Sequence, residues 1–201
     1  MKQFRLSIAV LLSVWSLASL GEAKADDGSG AKGVKIEKSE NKKVRIYTPT
    51  GAAVDVAIID ADGNMLYKGL ITKNKAGHQS FNLNNLPDGQ YYITAGNNAW
   101  WMSQAVTIAG NKVNIDERNL QQIAQPTLTA YEKNKYEVSL PAVNVKDASV
   151  AIYDAQNVLV HSEQFTGSTR RFDLSSLPEG AYTFVVGPDQ KTFSSRVDVR
   201  R

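Results

Sequence analysis

FNLNNLPDGQYYI, Phe81 to Ile93, is paraphrased 91 residues later by FDLSSLPEGAYTF, Phe172 to Phe184. In both stretches two leucines (Leu83 and Leu86; Leu174 and Leu177) can anchor a connection between strands. Pro87 and Pro178 set a turn that Gly89 and Gly180 complete. Tyr91 and Tyr182 then open the next strand. This L-x-x-G-x-Y order reads as a tyrosine corner, in which a largely buried ring leaves its hydroxyl free to bond upstream backbone. A phrase repeated at the same place in two copies is a requirement of folding, because an active site rarely needs building twice.

The correspondence extends outward from the phrase. Val44-Arg45-Ile46 before Pro49 answers Tyr136-Glu137-Val138 before Pro141, and Val56 to Ala61 answers Val150 to Ala155. Gly96 answers Gly187, and Met102 to Ile108 answers Phe193 to Val199. The chain is therefore two copies of one module. Within each, apolar residues recur every second position, as in Val54, Val56, Ile58 and in Val197, Val199, with turn signals such as Asp62-Gly63-Asn64 between the runs. About seven strands per module are expected, near 34–38, 43–48, 54–60, 65–71, 78–83, 90–96 and 100–108 in the first. The fold class is all-β, two tandem immunoglobulin-like antiparallel sandwiches.

The ends of the chain carry an address. Lys2 and Arg5 precede the apolar run Ile8 to Leu20, followed by Ala23-Lys24-Ala25 and Asp26-Asp27, the pattern of a secretory signal peptide cut after Ala25. The run is shorter than the ~20 residues of a spanning helix, so no transmembrane segment is expected after cleavage. The expected divisions are 1–25 signal peptide, 26–33 flexible leader, 34–109 first module, 110–126 polar linker and 127–201 second module. Asp116 to Ile123 could form one or two helical turns, or Val113 to Ile115 could prolong the first module's last strand. The leader spells GxGxxG, but a dinucleotide site needs a strand before that motif and a helix after it.

Composition narrows the chemistry. The chain of 201 residues has no cysteine, which excludes disulfides, zinc thiolates and cysteine nucleophiles. Lys2, Arg5 and Lys24 against Glu22 would leave with the signal, so the formal charge of +3 less +2 leaves +1 and gives no ground for nucleic-acid binding. Asp60, Asp62 and Asn64 alternate like calcium ligands. The later glutamate is missing, however, and the second copy reads Asp154-Ala155-Gln156-Asn157, so a hairpin turn with Gly63 at positive φ is the better reading. His78 and His161 stand at non-equivalent places with no nucleophile or metal motif around them. No metal, cofactor or catalytic constellation is expected, and the chain is read as not an enzyme.

What the second copy does not repeat is Asn97 to Met102. Counting from Val106 and Ile108 puts Met102 and Trp100 inside and Trp101 outside. Trp101, with Trp100 at the strand's beginning, is a candidate exposed aromatic for a partner protein or a sugar ring, the alternatives being a bulge that buries both or casual surface exposure.

The V-x-I-x-D strand (Val150, Ile152, Asp154), the phrase from Phe172 to Tyr182, and a final V-x-V strand closed by basic residues (Val197, Val199, Arg200, Arg201) resemble the C-terminal sorting domain of the type IX secretion system of Bacteroidota. The first module shares the resemblance without the basic end. Equally similar are short secreted proteins of Bacteroidota built only of immunoglobulin-like modules. The first resemblance implies a small sandwich that directs export or surface attachment, with Arg200 and Arg201 as its terminal mark. The second implies a non-catalytic binding or structural protein, periplasmic, secreted or on the cell surface.

Overall fold

Period-two alternation becomes strands over most of the described residues. The computed structural model describes residues 34–48, 53–72 and 77–201, so the expected signal peptide and leader lie outside the described residues. The first module contains β1 (Lys35–Glu40), β2 (Lys43–Tyr47), β3 (Val54–Asp60), β4 (Met65–Ile71), β5 (His78–Asn82), β6 (Gly89–Gly96) and β7 (Trp100–Ala109). Then come β8 (Lys112–Ile115), a 3-10 turn at Glu117–Asn119 and β9 (Gln121–Ala124). The second module runs β10 (Thr127–Glu132), β11 (Lys135–Ser139), a short β12 (Ala142–Val143), β13 (Asp147–Tyr153), β14 (Leu159–Thr166), β15 (Thr169–Asp173), β16 (Gly180–Gly187) and β17 (Phe193–Val199).

Each module lays a three-stranded sheet over a larger one, and all pairings are antiparallel. β1-β2-β5 covers β4-β3-β6-β7 in the first module, and β10-β11-β15 covers β14-β13-β16-β17 in the second. The alternating side chains fill the space between the sheets. Val44, Ile46, Val54, Val56 and Ile93 are buried in the first core, and Val138, Val150, Ile152 and Phe184 in the second. Each such side chain contributes about 1.5–3 kcal/mol by leaving water. The fold is thus an all-β pair of immunoglobulin-like sandwiches.

The segment 110–126, expected as a polar linker, is bound along its length to β7. Gly110 turns the chain at φ +57, after which β8 pairs with Val106 to Ala109. The chain then steps away at the 3-10 turn and returns as β9 on Trp100 to Ser103. Between the two pairings the Gln104 amide donates to the Asp116 carbonyl at 2.6 Å and to the Ala105 carbonyl at 3.1 Å. The polar side chains of 110–126 concealed this because sheet pairing uses backbone groups. What the pairing satisfies is the open edge of β7, whose backbone N–H and C=O groups would otherwise lack partners, and Trp101, Ser103 and Ala105 on its outward face are buried.

Beyond β9 the same sheet continues into the second module. β12 pairs with β9, the Ala124 N–H donates to the Pro141 carbonyl at 2.9 Å, and the Asn144 amide donates to the Leu120 carbonyl at 2.7 Å. Because β9 runs back to the start of β7, the second module begins beside the β6–β7 turn, where the Gln125 N–H bonds the Ala99 carbonyl at 2.7 Å. The connection carrying β12 is the second module's counterpart of the β2–β3 connection. The two sandwiches therefore meet by equivalent ends, and the hairpin tips at β3–β4 and β13–β14 lie at their far ends.

Candidate functional site

The repeated phrase builds the same corner in both modules. Asn82 and Asp173 accept from the backbone N–H groups of Asn84 (3.0 Å) and Ser175 (2.9 Å), tightening the exit from β5 and β15. The N–H groups of Leu86 and Leu177 then donate to the carbonyls of Leu83 and Leu174, each at 3.0 Å. Tyr91 and Tyr182, both buried, donate their hydroxyls to the Pro87 and Pro178 carbonyls at 2.8 and 2.9 Å. These oxygens are occupied by structural bonds.

Trp100 and Trp101 are both buried, which corrects the expectation of an exposed aromatic. Trp100 packs inward with the first core. Trp101 faces away from that core, as period-two counting requires, but it pairs with Ile123 across β9 and belongs with it to the core of the second module. The reason is the second module, brought here by the return of 110–126: Ile123 lies beside Trp101 in the sheet, and Leu140, Val150 and Val186 belong to the same buried cluster, so this end of the outer face of β7 is internal. Trp101 is a contact between modules, and both rings are nearly closed to solvent.

At the same junction Gly96 and Gly187 end β6 and β16. A Cβ on Gly96 would stand 2.9 Å from the Trp100 carbonyl oxygen, and one on Gly187 would collide with the Lys191 carbonyl oxygen. Close backbone approach therefore demands glycine at both places. The Lys191 ammonium lies over the Phe193 ring at 5.2 Å from its centroid. Partial burial pushes its pKa down, and the charge of Asp55 in the first module opposes that shift.

The basic end is held by its backbone. The Arg200 N–H donates to Asn134 Oδ1 at 3.0 Å, and Asn134 Nδ2 donates to the Arg200 carbonyl at 2.8 Å. Arg200 Nη2 lies 3.8 Å from Asp198 Oδ2 with its side chain well exposed, and Arg201 is exposed. Asp60 accepts from the backbone N–H groups of Asp62 (3.0 Å) and Asn64 (2.8 Å), and Asp154 does the same for Gln156 (2.9 Å) and Val158 (2.8 Å). Gly63 (φ +87) and Asn157 (φ +61) take the left-handed position in these turns.

Directly after those turns come residues that the sequence reading passed over. Met65 (58% exposed), Leu66, Tyr67 and Leu70 (57%) on β4, and Val158 just before β14 with Leu159 (51%) and Val160 at its start, are apolar and open to solvent. β4 and β14 are equivalent strands, and each is the outer edge of its sheet. On their inner faces, Tyr67 meets Phe81 edge-on at 5.3 Å and His161 meets Phe172 at 5.7 Å, so the two rings close the same corner of each core. Glu163 on β14 receives the Arg170 guanidinium at 2.5 Å, which holds its carboxyl below the usual range. The detectable signal was the uninterrupted apolar runs Met65-Leu66-Tyr67 and Val158-Leu159-Val160, where alternation lapses.

Residues 34–109 match the family described as "Secretion system C-terminal sorting domain". The match falls on the first module, although the basic end that also carries the resemblance closes the second. No curated protein matches in sequence. Among solved structures, the chain is similar to a biofilm-associated protein BSP domain (16% identity, 83% of this chain and 29% of that one, TM-score 0.29). It is also similar to a two-domain fibronectin type-III segment of chicken tenascin (12%, 83% and 97%, TM-score 0.34). The chain thus spans under a third of the biofilm-associated structure. Likenesses this distant say nothing of what this chain binds. Among the described residues no helix is long and apolar enough to cross a membrane.

Proposed function

We propose that the chain is an exported protein that acts without catalysis, as a binding or structural element of the cell envelope, through the edges of β4 and β14. The observation that carries this reading is the pair of exposed apolar edge strands at equivalent positions in the two modules. An open edge presents unpaired backbone N–H and C=O groups, and proteins ordinarily guard such edges with charge, proline or cover. Export is supported by the sorting-domain match over 34–109 and by the signal-like N-terminus. The test is a photo-reactive phenylalanine analogue at Leu70 or Val160 in producing cells, with Ser194 on β17 as the control. Adducts with a macromolecule at the first two sites, exceeding those at Ser194, are expected. Yields no higher than at Ser194 would overturn the reading.

The family match favours a second reading, in which a module serves as a sorting signal for export or surface attachment. Arg200 and Arg201 project from a pinned backbone where a receptor could grip them. Deleting both and assaying export separates the readings, since only a sorting signal predicts accumulation inside the cell.

A further inference from the structure

We infer that a cleft beside the junction of the two modules binds a neutral saccharide, a role separate from that of the β4 and β14 edges. The cleft holds about 450 Å³ and is walled by Gln121 of β9, by the connection 144–146 into β13 and by the turn 188–190 between β16 and β17. Ser149 and Gln164, directly opposite each other in the β13–β14 ladder, also line it. Small-molecule sites run from about 300 to 1,000 Å³ and favour the boundaries between domains. The walls are fixed by bonds within the chain. Asn144 Nδ2 donates to the Leu120 carbonyl at 2.7 Å and to the Arg118 carbonyl at 3.3 Å, tying the 144–146 connection to the segment that carries β9. The Ser149 hydroxyl donates to the Gly187 carbonyl at 3.2 Å, and the Lys191 N–H closes the turn on the Pro188 carbonyl at 3.1 Å. A site held in this way loses little freedom when a ligand enters.

The lining decides the chemistry of the ligand. Gln121, Asn144, Gln164 and Gln190 are carboxamides, each carrying donor and acceptor side by side. Their complement is a ligand that also gives and takes hydrogen bonds at neighbouring atoms, as the adjacent hydroxyls of a sugar do without charge. The carboxylates of Asp147 and Asp189 outnumber the Lys146 ammonium, so the cleft is net negative and disfavours phosphates and acidic sugars. Both carboxylates can accept from sugar hydroxyls, and the ammonium can donate to them. No aromatic ring lines the cleft among the described residues, so a flat apolar ligand finds no face on which to stack, and a saccharide is gripped by its hydroxyl edges.

An array of neutral and acidic oligosaccharides probed with the purified chain tests this, followed by calorimetric titration of the neutral saccharide best retained. Gln164→Ala and Gln190→Ala each remove one carboxamide from an exposed position, and circular dichroism checks the fold. The wild-type chain is expected to retain a neutral saccharide. Each variant should bind it about 3–10-fold more weakly, the effect of one lost hydrogen bond, and the double variant more weakly still. Gln156→Ala, in the β13–β14 turn at the far end of the module, should match the wild type. No neutral saccharide bound at millimolar concentration, stronger retention of the acidic ones, or an affinity unchanged in the double variant would overturn the proposal. Leu70 and Val160 lie outside the cleft, so cross-linking at the edges and saccharide binding succeed or fail independently.

Discussion

β7 and β17 close their modules at the same place, yet they meet opposite fates. β17 is an edge strand whose outward positions Ser194, Arg196 and Asp198 face water. β7 has Trp101, Ser103 and Ala105 on that face and is covered by β8, β9 and the second module. Two copies of one sandwich thus differ chiefly in what their last strand must support. The duplicated parts, from hairpin turns to tyrosine corners, make each module fold. The unduplicated parts make two modules into one molecule.

The largest effect should come from breaking the difference itself. Trp101→Ala is expected to cost ~3–5 kcal/mol, as for other buried aromatics. It should do so by loosening the second module, seen as faster proteolysis within 110–126 and a larger radius of gyration by small-angle scattering. Trp100→Ala should cost a similar amount in urea melts while leaving the junction closed. Equal opening in both variants would show that Trp101 is merely another core residue.

Next in size is the glycine pair. Gly187→Ala forces a methyl into the Lys191 carbonyl and should cost about 1–3 kcal/mol by overpacking. Gly96→Ala, with 2.9 Å of clearance, should cost less. The reverse ranking in denaturant midpoints would mean that the turn around Trp100 is the stiffer one.

The corners should be alike. Tyr91→Phe and Tyr182→Phe each remove one hydroxyl bond and should each cost about 1 kcal/mol. A loss confined to one of them would show that the two hydroxyl bonds are not equivalent.

The smallest effect concerns Lys191. Its pKa is depressed from 10.5, so the charged form is disfavoured in the fold; that penalty is full below the folded pKa and fades as pH rises towards 10.5. Lys191→Met should therefore raise Tm at neutral pH by a degree or two, roughly, with the gain shrinking as pH approaches 10.5. A gain independent of pH would place its origin in packing instead of charge.

The strands were legible because alternation and repetition report the same thing twice: Val54, Val56 and Ile58 gave β3, and their counterparts gave β13. The parity of Trp101 was legible too, since it does point away from its own core. Its burial was not, because the cluster that encloses it belongs to the second module, brought there by a polar segment that pairs backbone to backbone. Ala105 opposite Arg196 in the alignment was the available hint that this face is dry in one module and wet in the other. The edges of β4 and β14 escaped for the converse reason: Met65 and Leu159 have the composition of a core, and only topology reveals that, among the described residues, no strand lies beyond them.

The doubled-back course of residues 110–125 also has a mechanical meaning. A load drawing the modules apart pulls β9 lengthwise along β7, and because ladder bonds lie across the strands, all of them resist together instead of opening one by one. Once they yield, the peeled segment of residues 110–125 would release about 50 Å of slack at roughly 3.4 Å per residue before either sandwich itself is strained. Such a joint is stiff under small forces and extensible under large ones.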